Sequence, residues 1–259
     1  MRFHPLADAV GLMVLRFLVI LGATEVATLL GIVGWSQGLF ANIIVTLLAI
    51  ALVNRRRLWR SIGMTTVWRS ALALLALAPL AFEAVTWALP AGVVSREPGY
   101  ALWGLTLLLV GVNEELFARG LVLSTLERAY SVRVAVVGTG AIFGLQHLSA
   151  FALSNRAADD VLMNVLLSGI YGFALAAYQV RFRWIWPLIL VHATADWVTI
   201  LAAEPLPDLW IGLAHLSMVV YGIVLLRSRR SGDGTEGRRG NRTTPAAAGV
   251  DGLGRGASD

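Results

Sequence analysis

Eight apolar stretches make up most of this chain, and each is close to the roughly 20 residues that a helix needs to cross a hydrocarbon core of about 30 Å. The sequence is 57% hydrophobic and only 14% charged, a balance unlike that of soluble globular domains. We therefore expect an all-α fold, a polytopic transmembrane bundle of about eight helices. The stretches are residues 9–34, 38–53, 71–89, 99–123, 134–152, 161–180, 184–203 and 209–226.

Arginine is concentrated in alternate loops, which predicts the orientation of the bundle. The loops between stretches two and three, four and five, and six and seven carry Arg55, Arg56, Arg57, Arg60, Arg69, Arg128, Arg133, Arg181 and Arg183. The other loops carry only Arg96 and Arg156, with acidic residues nearby. Because short cytoplasmic loops retain positive charge, both termini are expected in the cytoplasm.

The basic residues also indicate the kind of organism and the molecules that the protein contacts. All 21 basic residues are arginine, which with abundant Ala, Gly and Val favours a GC-rich bacterial genome. We therefore expect a multi-pass protein of the bacterial inner membrane. The net charge of +5 resides at helix ends and in the tail, which favours membrane lipids and not nucleic acid as partners. Cysteine is absent, which excludes disulfides and thiol nucleophiles; the oligomeric state stays open.

Five ionisable residues lie inside or at the edge of these apolar stretches: Glu114, Glu115, Arg119, His147 and His192. On insertion scales a charged side chain near the centre of a membrane helix costs roughly 2.5–3.5 kcal/mol, so such groups usually have a partner or a function. Glu115 and Arg119 are four residues apart, with the acid first, which favours an ion pair along the helix. Glu114 points about 100° away from Glu115 and is left to meet a group on another helix.

Two later helices offer groups that Glu114 could meet. Phe143 and His147 share a helix face, as do His192 and Asp196, because each pair is four residues apart. Amide hydrolysis needs a base for water and donors for the oxyanion. We therefore hypothesise that Glu114 is the general base and His147 helps to bind the water. His192, oriented by Asp196, would stabilise the oxyanion or position the substrate.

A metal site is the alternative chemistry, with His147, His192 and Glu114 as the ligands of a zinc ion. The sequence has no HExxH motif, so the usual helical signature of such a site is missing. Four other ionisable residues in apolar stretches belong to no motif, and we interpret them as structural contacts. They are Arg16, Glu25, Glu83 and His215. Helix lengths predict that the site opens toward the cytoplasmic half or the midplane of the membrane.

The three motifs in this order resemble those of the CPBP family, the CAAX-protease and bacteriocin-processing group of intramembrane metalloproteases, also called Abi-type. The family pattern is EExxxR, FxxxH and HxxxN, and here it comprises Glu114, Glu115 and Arg119, then Phe143 and His147, then His192 and Asp196. The resemblance covers about residues 100–200 and implies a glutamate-dependent endopeptidase acting on a membrane-associated peptide or protein. Asp196 departs from the pattern, because an ionised carboxylate cannot donate a hydrogen bond to an oxyanion as Asn can.

The resemblance leads us to divide the chain into three parts. Residues 1–98 hold N-terminal transmembrane helices and a basic cytoplasmic loop, and residues 99–226 form the catalytic core. Residues 227–259 are rich in Gly, Arg, Thr and Ser and are expected to be a disordered cytoplasmic tail. In that tail, Arg238, Arg239 and Arg242 are expected to meet anionic lipid. Two other functions stay open: a non-enzymatic bacteriocin immunity or membrane scaffold protein, and a proton-coupled transporter.

Overall fold

The computed structural model describes residues 4–239, and within them the chain forms eight helices. Their order along the chain is α1 (Pro5–Leu29), α2 (Trp35–Arg55), α3 (Ala71–Thr86), α4 (Tyr100–Glu127), α5 (Val132–Ala152), α6 (Ala158–Phe182), α7 (Ile185–Leu201) and α8 (Asp208–Arg239). The described residues contain no strand, only one isolated bridge between Val93 and Ala202. The predicted all-α bundle of eight helices is confirmed.

Helix length separates the eight helices into two groups. Six are long and apolar enough to cross a membrane, namely α1, α2, α4, α5, α6 and α8. Helices α3 and α7 are apolar but have only 16 and 17 residues. The chain is a multi-pass membrane protein. Helix α8 continues past residue 226, where a disordered tail was predicted to follow, and Arg242 of that tail lies outside the described residues.

A serine residue caps the first turn of two of these helices. Ser70 precedes α3, and its hydroxyl accepts a hydrogen bond from the backbone N–H of Ala73 at 3.1 Å. Ser131 does the same for Val134 at the start of α5. Such caps satisfy backbone donors that a helix leaves unpaired in its first turn.

The connections between helices meet at two opposite ends of the bundle. At the first end, the backbone N–H of Ile185 donates to the carbonyl of Ile62, and Arg183 forms an ion pair with Glu127. We call this the Arg-rich end, because it holds the arginines of the loops around residues 55–69, 128–133 and 181–183. At the opposite end, the segment at residues 92–94 pairs with residues 201–203. We call this second end the acidic end, because its loops and adjoining helix turns carry Glu97, Asp159, Asp160, Glu204 and Asp208 beside only two arginines.

Glycines bring two pairs of helices into close contact. A Cβ atom built on Gly144 of α5 would lie 2.4 Å from the carbonyl oxygen of Val165 on α6, and one on Gly140 would lie 2.8 Å from the backbone nitrogen of Phe173. Gly111 of α4 approaches α7 in the same way, 2.9 Å from the carbonyl oxygen of Ile189. At these three positions only a glycine leaves room for the neighbouring backbone, which permits close helix contacts. These contacts fix α5 against α6 and α4 against α7.

Helix α4 changes geometry within its length. Residues Leu116–Val122 form a π-helical segment, and all seven are buried. Such segments are often found at functional sites, because they shift the register of the side chains that follow. Here the segment begins directly after Glu114 and Glu115.

Candidate active site

A cavity of ≈ 400 Å³ lies among helices α3 to α8. All four residues that the sequence singled out for catalysis line it: Glu114, His147, His192 and Asp196. Phe143 also lines it. The predicted convergence of these residues from three helices is therefore present in the structure, whereas their catalytic roles stay a hypothesis. Glu115 and Arg119 lie behind the cavity wall and are fully buried.

Glu114 is held by a residue from the first helix. The Nη2 atom of Arg16 lies 2.7 Å from Glu114 Oε1, and the same guanidinium donates to Asn113 Oδ1 at 3.0 Å and to Gln146 Oε1 at 3.2 Å. Arg16 is 7% exposed, so it neutralises the carboxylate away from water. The sequence analysis interpreted Arg16 as a structural contact but did not identify its partner, which is Glu114 in the cavity wall. Arg16 connects the helix of Glu114 to the helix of His147.

The Glu115–Arg119 ion pair that the spacing predicted is confirmed. Arg119 Nη1 lies 2.9 Å from Glu115 Oε1, and neither side chain is exposed. Arg119 also donates to the carbonyl of Gly172 on α6 at 3.2 Å and stacks over the Phe143 ring at 4.3 Å. The pair therefore fastens α4 to α5 and α6, since Phe143 and Gly172 belong to those helices.

Glu115 has a second role, which the sequence did not indicate. Its Oε1 atom accepts a hydrogen bond from His192 Nδ1 at 2.7 Å, so this carboxylate orients the imidazole. The expected orienting residue was Asp196, but its Oδ2 lies 3.7 Å from the other ring nitrogen, Nε2, beyond hydrogen-bond distance. The Nε2 atom also lies 3.7 Å from Glu114 Oε2. Held through Nδ1, the ring directs Nε2 toward both carboxylates.

His147 has one ring nitrogen occupied and one available. Its Nδ1 lies 3.1 Å from the carbonyl oxygen of Phe143, and because a carbonyl only accepts, Nδ1 carries the proton. The Nε2 atom of a neutral ring is then an acceptor. Phe143 further positions the imidazoles, with its ring centroid 5.5 Å from His147 and 5.8 Å from His192.

Sequence reasoning left other cavity residues unassigned. Glu83 on α3 and His215 on α8 line the cavity, although we interpreted both as structural contacts. The sequence did contain a signal for both residues, since each is an ionisable group in an apolar stretch. Tyr171 also lines the cavity, and its buried hydroxyl has no hydrogen-bond partner among the described residues. A lone tyrosine in an apolar helix gives no sequence signal of this kind.

The donor set does not fit the zinc site considered as an alternative. Within residues 4–239, no three His, Asp or Glu side chains are grouped so that they could hold a metal ion. Arg16 occupies Glu114 Oε1, and a guanidinium at this position would repel a bound cation. We therefore derive no chemical step through a metal.

The cavity extends toward the acidic end. From Glu114 and His192, its lining continues to Leu107 on α4, Thr199 on α7 and Asn164 on α6. These residues are nearer the start of α4, the end of α7 and the start of α6, which meet the loops of that end. The expectation of a site that opens toward the cytoplasmic half or the midplane of the membrane stays a prediction.

Part of the chain is similar to a known protein family. No curated protein and no solved structure gives a significant match. Residues 96–198 match the family model described as type II CAAX prenyl endopeptidase Rce1-like. Every residue of the three motifs lies inside that range. Residues 96–198 are therefore similar to this family, and the match confirms the resemblance of the three motifs to the CAAX-protease family.

Proposed function

We propose that the protein is an intramembrane endopeptidase that hydrolyses a peptide bond in a membrane-associated peptide or protein. The observation that carries the proposal is the convergence of Glu114, His147 and His192 on one cavity, since all three residues lie in the range that matches the Rce1-like family. The name of the matched family supplies the reaction class, and the buried polar groups supply a way to perform it.

Glu114 is placed to activate water. Arg16 holds Oε1, which leaves Oε2 as the free acceptor, 3.7 Å from His192 Nε2. A water molecule beside these two atoms can hydrogen-bond to both, because the gap is too long for a direct bond. The water donates one proton to Glu114 and its other hydrogen bond to His147 Nε2. As its oxygen attacks the peptide carbonyl, Glu114 takes the proton and then passes it to the leaving amine.

His192 is placed to stabilise the oxyanion that forms. When its Nε2 carries a proton, the ring donates to the developing charge, while Glu115 accepts from Nδ1 and balances the positive ring. Arg119 in turn neutralises Glu115. These two contacts connect Arg119 through Glu115 to His192. The buried ion pair of α4 therefore holds the proposed oxyanion donor of α7 in position.

The proposal is tested by replacing the proposed base and its partner. We expect Glu114→Gln and His147→Ala to lower kcat by about 10²–10⁴, the contribution of a general base, while insertion and folding survive. Glu25→Gln is the matched control, because it removes a membrane-helix carboxylate that does not line the cavity. The readout is cleavage of a library of membrane peptides and lipopeptides by protein in lipid nanodiscs.

Two outcomes would overturn the proposal. In the first, the wild-type protein cleaves none of the peptides and the Glu114→Gln variant keeps full biological activity. This is the result expected of an immunity or scaffold protein. The second is proton-coupled flux in proteoliposomes that is lost with Glu114→Gln, as a transporter would show. Elemental analysis of the same samples tests the metal alternative, and one zinc per chain that is lost with His147→Ala would replace the proposed water activation.

A further inference from the structure

The wall of the cavity contains a second set of polar residues. It consists of Glu83 on α3, His215 on α8, and Asn164 and Ser168 on α6, all of which line the cavity. We call these four residues the Glu83 wall. None of them belongs to the three motifs, and α3 and α8 lie outside the range that matches the family. The proposed hydrolysis uses none of the four.

Glu83 is a buried carboxylate with one oxygen unpaired. The residue is 6% exposed, and Oε1 accepts a hydrogen bond from Trp87 Nε1 at 3.1 Å. Its Oε2 atom has no hydrogen-bond partner, and none of the ion pairs among the described residues includes Glu83. Its electrostatic partners, His192 and Asp196, also line the cavity. A buried carboxylate without a close counter-ion is costly, so the cavity offers a position for a cation.

The other groups of this wall suit the same ligand. His215 Nδ1 donates to the carbonyl of Ile211 at 2.8 Å, so the Nε2 atom of the neutral ring is an acceptor. Among the residues that the structure describes, no arginine lines the cavity, and the nearby Arg16 and Arg119 are engaged with Glu114 and Glu115. The face of Trp87 adds an aromatic surface that attracts cations.

We infer that the Glu83 wall is a specificity subsite for a cationic side chain, lysine or arginine, close to the bond that is cut. The charged head pairs with Glu83 Oε2, and the aliphatic stem packs against Leu107 and Leu167, which also line the cavity. The acidic end, toward which the cavity extends, attracts the same charge. This inference rests on the proposed endopeptidase function for its position beside a scissile bond.

The wild-type protein alone provides the first test. The test uses a series of membrane peptides, each with a single lysine at a different position. Each peptide has a counterpart in which norleucine replaces the lysine, which keeps the aliphatic side chain but lacks the amine. At one position or two adjacent positions, we expect the lysine peptide to bind roughly tenfold more tightly than its counterpart, the effect of one charge-assisted hydrogen bond. Equal affinity at every position overturns the inference.

Variants then assign the preference to the Glu83 wall. Binding is measured in a Glu114→Gln background by fluorescence of labelled peptides in nanodiscs, so that hydrolysis does not interfere. Adding Glu83→Gln, which preserves shape, is expected to abolish the lysine preference, whereas adding Glu25→Gln keeps it. A preference that persists with Glu83→Gln, in protein that is folded by thermal unfolding, contradicts the assignment.

Cleavage and binding of the same peptides separate this inference from the proposed endopeptidase function on which it rests. If the wild type cleaves the peptides but does not distinguish lysine from norleucine, the protease stands and the subsite is refuted. If it cleaves none but binds lysine peptides through Glu83, the cation site stands and the endopeptidase is refuted.

Discussion

At the scale of single residues, the contacts of His192 explain how the site tolerates Asp196. The family pattern has Asn at this position, and an amide can donate to an oxyanion where a carboxylate cannot. His192 does not need Asp196 for its orientation, because Glu115 already holds Nδ1 at 2.7 Å. Asp196 is also partly exposed, with 34% of its side chain accessible. Its negative charge therefore lies near the proposed oxyanion position, and Asp196 is not needed to orient His192.

We expect Asp196→Asn to raise kcat. The substitution removes a negative charge near the developing oxyanion and adds an N–H donor, so an increase of roughly tenfold is expected, part of the 10²–10³ that a full oxyanion donor supplies. The measurement is kcat on a peptide that the wild type cleaves. Asp196→Ala, which removes the charge but adds no donor, is the control and should show the smaller increase. A fall in kcat with Asp196→Asn contradicts this account.

The site residues show which contacts a sequence can predict. The Glu115–Arg119 pair follows from a spacing of four, because both residues share one helix face. The bond from Glu115 to His192 joins residues 77 positions apart, and it depends on the close packing of α4 on α7 at Gly111. Spacing carries no information about that packing. Arg16 was visible as a charge in an apolar helix, but its partner could not be identified without the arrangement of α1 beside α4.

At the scale of helices, α1 completes a site whose motifs all lie on later helices. It lies outside residues 96–198, the range that matches the family, yet Arg16 binds Asn113, Glu114 and Gln146. Arg16 thus sets the distance between the proposed base on α4 and the end of α5 that carries His147. We regard it as a positioning residue.

Replacing Arg16 separates this role from general stabilisation. We expect Arg16→Met to lower kcat by roughly a hundredfold with little change in KM, because misplacing a catalytic group by about 1 Å can have that effect. It should also lower stability by about 3–5 kcal/mol, the cost of leaving one charge of a buried pair alone. Arg16→Lys restores the charge and should recover part of kcat. Full kcat in a folded Arg16→Met protein would exclude the positioning role.

The contact of α5 with α6 offers a second test at this scale. A methyl group on Gly144 would meet the Val165 carbonyl at 2.4 Å, and a backbone oxygen cannot turn aside as a side chain can. We expect Gly144→Ala to lower stability by about 1–3 kcal/mol and to reduce kcat by displacing His147, three residues further on. Gly11→Ala is the control, because nothing lies within 4 Å of its added methyl group. Thermal unfolding in detergent compares the two, and equal melting temperatures would contradict the packing argument.

At the scale of the whole molecule, the contacts between loops define two ends of the bundle. The loops at each end are the same as those that the distribution of arginine assigned to one side of the membrane. Which end faces the cytoplasm stays a prediction, and the absence of cysteine makes it easy to test. We expect Thr65→Cys at the Arg-rich end to react with an impermeant thiol reagent only in inverted vesicles. Ser95→Cys at the acidic end should react only in intact spheroplasts. The reverse pattern would place both termini outside.

The overall architecture was predictable to a greater extent than the site. Runs of apolar residues fix the number of helices, because backbone groups in lipid must be satisfied within helices. Composition was less informative at the ends, since α8 extends to Arg239 through residues that are poor in large apolar side chains. The direction of the cavity was not predictable, because helix lengths alone do not show which faces leave space between them.

The long-range pairing of Arg16 has a consequence for biosynthesis. Arg16 and Glu114 are 98 residues apart, so at about 5–20 residues per second the ribosome makes Arg16 about 5–20 seconds before its partner. During that interval α1 carries an unneutralised guanidinium, which disfavours its release from the insertion machinery into lipid. The first helix is therefore expected to remain beside the translocon until α4 brings Glu114, so that α1 and α4 enter the lipid together.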